Sequence, residues 1–169
     1  MHQTRRGNTM SYPEIRYDGE SGEVTAWMRP ASTPADLTSK AGTKFGYLAT
    51  GADTGGDFGL YRLDMLPRAG GASDHFHRTI TESFFILSGT MKLFNGDKWV
   101  DAREGDFLHV PPGGRHGFRN ESDEPASMLL LFTPGAPREA YFEGLKTVSG
   151  LSDQERLEFF LQHDNHFVD

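Results

Sequence analysis

The sequence of 169 residues contains no cysteine, which excludes disulfide scaffolds, cysteine-ligated zinc fingers and thiol catalysis. It is also short of positive charge: 17 Lys and Arg stand against 24 Asp and Glu, for a net charge of -7. The doublet Arg5 and Arg6 is the one basic cluster, and it sits in a polar leader. A nucleic-acid binder needs a basic stripe for the phosphate backbone, so no nucleic-acid partner is expected. Long apolar runs are missing as well. The longest, residues 128–132, falls far short of the roughly 20 residues that cross a bilayer, so no membrane span is expected. The first 22 residues lack the apolar stretch of a secretory signal. The reading is a soluble, cytoplasmic, single-domain protein, with 36% hydrophobic and 12% aromatic residues available for a core.

Residues 1–22 show no periodicity and read as a polar N-terminal arm. From residue 23 short apolar runs alternate with Gly, Pro, Asp and Asn. They predict strands at 23–29, 44–50, 58–66, 73–77, 83–88, 90–94, 98–101, 106–110, 115–119 and 127–132, an all-β pattern that suits a sandwich or closed barrel. Asn95-Gly96 marks a hairpin, and Pro112-Gly113 a type II turn. After Phe132 the texture changes. Pro137 is placed to open a helix running to about residue 147. A second helix starts at the capping box Ser152 to Glu155, with Leu157, Phe160 and Leu161 at helical spacing as its expected packing face. The division is thus 1–22 arm, 23–134 barrel and 135–169 helical extension.

Chemistry concentrates in the histidines. In His75-Phe76-His77 the two rings lie two residues apart, so on a strand they face the same side and can converge on one ion. Alone, such a pair is a weak signal. Glu82 follows five residues later, then Gly89. A second segment holds Gly105, Pro111, Gly113, His116 and Asn120. With these spacings the sequence resembles the cupin superfamily, whose two motifs are matched by His75, His77, Glu82 and Gly89, and by Gly105, Pro111, Gly113, His116 and Asn120. One position departs: Ala69 stands where the first motif opens on glycine, with Gly70 and Gly71 beside it. The resemblance covers residues 58–132, and the 15 residues between the motifs make it similar to compact monocupins of the quercetin dioxygenase type.

The resemblance implies a double-stranded β-helix (jelly-roll) barrel with the two C-terminal α-helices outside it. It also implies one divalent metal ion held by His75, His77, Glu82 and His116. Three neutral imidazoles and one carboxylate leave such an ion a net charge and open positions, which suits Fe, Mn, Ni, Co, Cu or Zn alike. Glu82 is further expected to serve as catalytic base. By strand parity Tyr61, Met65, Phe84 and Phe118 point inward, where they read first as barrel filling and second as a substrate-binding wall. Three functions remain open. The first is metal-dependent, dioxygenase-type oxidation of a small organic, aromatic-compatible substrate, and the second is non-redox cyclisation or isomerisation similar to that of polyketide cyclases. The third is small-molecule binding without catalysis. Relatives pair through their sheets, so a homodimer is expected. His109 reads as solvent-facing, Arg115 as turned away from His116, Asp74 and Arg78 as rim residues, and His163 and His166 as surface residues.

Overall fold

Strand alternation builds the architecture. In β3 (Gly59–Met65) Tyr61, Leu63 and Met65 turn inward and are buried, while Arg62 and Asp64 turn outward and pair at 2.9 Å. The neighbouring β10 (Ala126–Thr133) buries Met128, Leu130 and Phe132 on the same face, and β5 (Thr81–Ser88) adds Glu82, Phe84 and Ile86. The register aligns these residues directly: Leu63 lies opposite Met128, Phe84 opposite Leu130, and Glu82 opposite Phe132. Parity therefore carries Glu82 into the apolar interior with its strand.

This computed structural model describes residues 12–168. Of these, residues 12–30 form one unit and residues 31–168 another. Residues 1–11 of the expected arm lie outside the described part, and residues 12–30 contain no helix or strand. The expected strand at 23–29 does not form: Val24, Trp27 and Met28 are exposed. A strand exists through its ladder, and no sheet among the described residues includes this segment. The first strand is instead β1 (Leu37–Thr38), hydrogen-bonded to β2 (Lys44–Ala49).

With β8 (Phe107–Val110), these strands make a six-stranded antiparallel sheet in the order β1-β2-β3-β10-β5-β8. Facing it across the core is a three-stranded sheet, in the order β7-β6-β9, formed by β6 (Thr90–Phe94), β7 (Trp99–Arg103) and β9 (Gly117–Arg119). One apolar cluster draws on both, with Met91, Leu93 and Ala102 meeting Ile86, Met128 and Leu130. Two packed antiparallel sheets around one core form the expected jelly roll. The Asn95-Gly96 hairpin links β6 to β7, with Asn95 Oδ1 accepting from the Asp97 and Lys98 amides.

The predicted first helix is shorter than expected: α1 spans Arg138–Gly144, and a 3-10 turn follows at Val148–Gly150. Helix α2 (Asp153–Gln162) has the expected capping box, but of its expected packing face only Phe160 packs. Leu157 and Leu161 are exposed, whereas Phe159 stacks on Tyr141 and Phe160 meets Phe167 edge-on. The partner of α2 is α1 and the chain end rather than a flat sheet, and a narrow aromatic seam suffices for that contact. The chain closes with β11 (His166–Phe167), a strand absent from the sequence reading, paired to β4 (His75–Phe76).

Candidate metal centre

His75 and His116 come from motifs about 40 residues apart, yet their backbones form one antiparallel bridge, each amide donating to the other's carbonyl at 2.9 Å. His77 is tied to the same turn, because the Gly113 amide donates to its carbonyl at 2.7 Å. That turn is the expected type II turn: the Gly114 amide donates to Pro111, and Gly113 takes a positive φ of 82°. Asn120, the last motif residue, holds no metal position. It is buried and organises the loop before β10, its Nδ2 donating to Leu66 and Glu124 carbonyls at 2.9 and 2.8 Å. The close approach that demands glycine near the first motif falls at Gly71, where a Cβ would lie 2.2 Å from the Phe118 carbonyl oxygen. Ala69 is therefore no obstacle to the site.

One donor atom each from His75, His77, Glu82 and His116 lies within 4.8 Å of the other three, and all four residues are buried. Each imidazole is oriented by its Nδ1, which donates to a main-chain carbonyl: His75 to Ser73 at 2.8 Å, His77 to Asp164 at 2.6 Å, and His116 to Gly114 at 2.9 Å. A carbonyl only accepts, so Nδ1 carries the proton and Nε2 is the nitrogen left for the centre. The Nε2 atoms of His77 and His116 both stand 2.9 Å from Glu82 Oε2. A carboxylate oxygen also only accepts. Two nitrogens facing it therefore require protons or a cation among them. Donors on opposite sides of a bound transition metal stand roughly 4 Å apart, so this donor set fits a divalent ion in size and chemistry.

The electrostatics agree. Burial opposes ionisation of Glu82, yet hydrogen bonds from His116 and His77 outweigh it and hold the carboxyl well below its ordinary range. Burial, reinforced by the neighbouring His116, pushes His75 down to about 4, so its imidazole is neutral at physiological pH. Burial would lower His116 too, but its hydrogen bond to Glu82 raises it.

Beside the cluster lies a mostly apolar cavity of about 320 Å³, reached by His75 and Glu82 but not by His77 or His116. Of the four residues expected in its wall, Met65 and Phe118 line it. Tyr61 and Phe84 do not. Tyr61 is fully buried among Tyr47, Phe132 and Phe142, with its hydroxyl donating to Glu139. Phe84 fills the barrel behind the site, packed on His116 and Phe118 at ring separations of 5.8 and 5.9 Å. Parity correctly sends both side chains inward, but a jelly roll has more interior than cavity. His109 is exposed and bonds Ser83, and Arg115 pairs with Asp74 away from the centre.

The C-terminal extension supplies what the sequence reading missed. His163 and His166 are half-buried rather than surface residues, His163 meeting Phe159 edge-on and His166 stacked on Phe76. Asp164 takes a left-handed φ of 56°, and its carboxylate accepts from the Arg78 and Thr79 amides at 2.9 Å each. That contact places its carbonyl on His77. The available signal was weak: an Asp-Asn pair, tolerant of left-handed backbone, between two histidines. Arg138 is buried and lines the cavity together with Tyr141, Phe142 and Phe167.

A two-sheet barrel holding three oriented imidazoles and one carboxylate around a shared point defines a β-barrel protein with a site that could hold a metal ion. Residues 61–132 match the cupin domain family. The chain carries a cupin domain. It is 33% identical over 69 residues to quercetin 2,3-dioxygenase of Bacillus subtilis, covering 41% of this chain and 20% of that protein. It is 27% identical over 99 residues to polyketide synthase CurC of Streptomyces cyaneus, covering 59% of this chain and 64% of that protein. The chain thus spans less than two thirds of either curated relative. Among solved structures, KdgF from Halomonas sp. aligns with a TM-score of 0.55 at 13% identity, over 66% of this chain and 96% of that one, a likeness of fold.

Proposed function

We propose that the chain is a metal-dependent enzyme that oxidises a small, largely apolar, aromatic-compatible molecule in dioxygenase fashion. His75, His77, Glu82 and His116 would hold one divalent ion. The observation that carries this reading is the opening of the buried cluster, at His75 and Glu82, onto an apolar cavity large enough for a small organic ligand. When bound, the ion supplies Lewis acidity towards an ionised oxygen of the substrate and, if redox-active, electron transfer to dioxygen.

The protein's own groups do the rest. The three main-chain carbonyls hold the Nδ1 protons and set the ring orientations, so that each Nε2 is turned toward the point the ion would take. Both ring contacts to Glu82 fall on Oε2, which leaves Oε1 as the oxygen that can take a hydroxyl proton from the bound molecule. Met65, Phe118 and Phe167 wall the cavity with apolar surface and keep bulk water from the reacting group.

Metal-reconstituted protein is expected to consume dioxygen with at least one member of a panel of flavonols, catechols and diketones. No uptake with any of them ends this reading. A second reading, non-redox cyclisation or isomerisation, is supported by the wider match to CurC, 59% of the chain against 41% for the dioxygenase. Zinc in the purified protein, with a rearranged product and no dioxygen uptake, would select it. The homodimer belongs to the same proposal. Phe85 and Phe107 lie opposite one another on the outer face of the six-stranded sheet and are both exposed, which supports pairing of two copies there.

A further inference from the structure

Arg138 is buried to 4% exposure, and no carboxylate of the described residues forms an ion pair with it. Glu82 and Asp164 act on it only through space. Its guanidinium is nevertheless fixed. Nη1 donates to the His163 carbonyl at 2.7 Å, Nη2 to Asn165 Oδ1 at 3.3 Å, and the group lies over the rings of Tyr141, Phe132 and Phe142 at 4.3, 5.0 and 5.8 Å. Nε is buried and finds no acceptor in the protein. The guanidinium fork carries more donors than these two bonds use.

Tethering the chain end does not require this arrangement. Two neutral acceptors can be met by a neutral donor, whereas a permanent cation beside apolar walls is costly unless an anion joins it. Among the described residues Glu82 is the sole buried acid. A divalent ion on Glu82 and three neutral imidazoles would already exceed its charge, so the interior would hold positive charge at both ends of the cavity.

We propose that Arg138 is the anion-binding residue of this cavity and that the molecule bound there carries a carboxylate directed at helix α1. A carboxylate matches the planar fork and the unused Nε donor, and the surrounding rings hold the fork ready for it. The proposal rests on reading the cavity as the substrate pocket, and it adds a chemical class to that substrate: an apolar or aromatic acid.

The test is calorimetric titration of 2-naphthoate and its neutral isostere 2-naphthamide into the full chain, as purified and after metal stripping. Metal content is measured on the same samples. The carboxylate is expected to bind about tenfold tighter or more than the amide in both samples. Arg138→Met should bring the two probes within about twofold, with Arg138→Lys between these limits. Equal affinities in the wild type, or no binding of either probe, overturn the proposal without any variant having to fold. So does a preference that survives Arg138→Met, whether or not that variant melts earlier, since a purely structural arginine gives that result. A preference that disappears on stripping assigns the carboxylate to the metal, which overturns the role of Arg138 and leaves the metal reading intact. Failure to take up metal overturns the proposed function instead, because the comparison in stripped protein does not involve the ion.

Discussion

The two ends of the cavity are built on opposite plans. At the barrel end every imidazole has its outer nitrogen bound to a main-chain carbonyl, and the inner nitrogens and one carboxylate converge on a point suited to a cation. At the helical end a buried guanidinium is held by carbonyl and ring contacts while one of its donors points at nothing in the protein. The first end is prepared for positive charge and the second for negative charge. Their difference teaches that burial of a polar group is informative chiefly through what it leaves unpaired.

The comparison can be broken most severely at the barrel end. His116→Ala, at a fully buried member of the proposed metal cluster, should reduce bound metal to near zero by elemental analysis, while circular dichroism still reports the sheet. Two packed sheets carry the fold, so its loss together with the metal would contradict this assignment of roles. At the helical end Arg138→Met should leave metal content unchanged; equal metal loss in both variants would erase the distinction between the ends.

A smaller effect is expected where the two ends join. Asp164→Gly keeps the left-handed backbone but removes the carboxylate that binds the Arg78 and Thr79 amides, loosening the carbonyl that orients His77. Metal affinity measured by chelator competition should fall about 10-fold, at the low end of the range for residues that position ligands. Phe107→Asp, on the outer face, should convert a dimer to monomer by light scattering without changing metal content. Light scattering that shows a wild-type monomer removes that part of the proposal.

The smallest effect concerns neither end and serves as the control. Burial opposes ionisation of Asp64, but hydrogen bonds from Arg62 and Ser127 outweigh it and lower its pKa. Its folded value lies below the unfolded one, so its stabilisation is present above the ordinary value of 3.8 and is lost as pH falls through the lowered one. The urea midpoint should therefore drop below about pH 4, and Asp64→Asn should flatten that limb slightly with metal binding untouched.

Much of the barrel was legible because its information is local. Tyr61, Leu63 and Met65 alternate with Arg62 and Asp64, and Pro112-Gly113 specifies its turn whatever surrounds it. The segment 23–29 has similar apolar content and no ladder, which shows where that reasoning stops. Tyr61 and Phe84 mark a second boundary. Parity tells which face a side chain takes, but the shape of the packed interior decides whether a cavity borders it.

By itself the sequence determined the alternation that makes two sheets, the turns that bring His75, His77 and His116 to one side, and the donor types suited to a divalent ion. Each depends on residues near in the chain or on side-chain chemistry. Only the tertiary structure decided that Asp164 closes on His77, that β11 covers β4, and that Arg138 enters the cavity without a carboxylate partner. Those outcomes arise from docking a chain end onto a barrel about 90 residues earlier in sequence. No periodicity encodes such a contact, because the free energy that selects it exists only once both surfaces have formed.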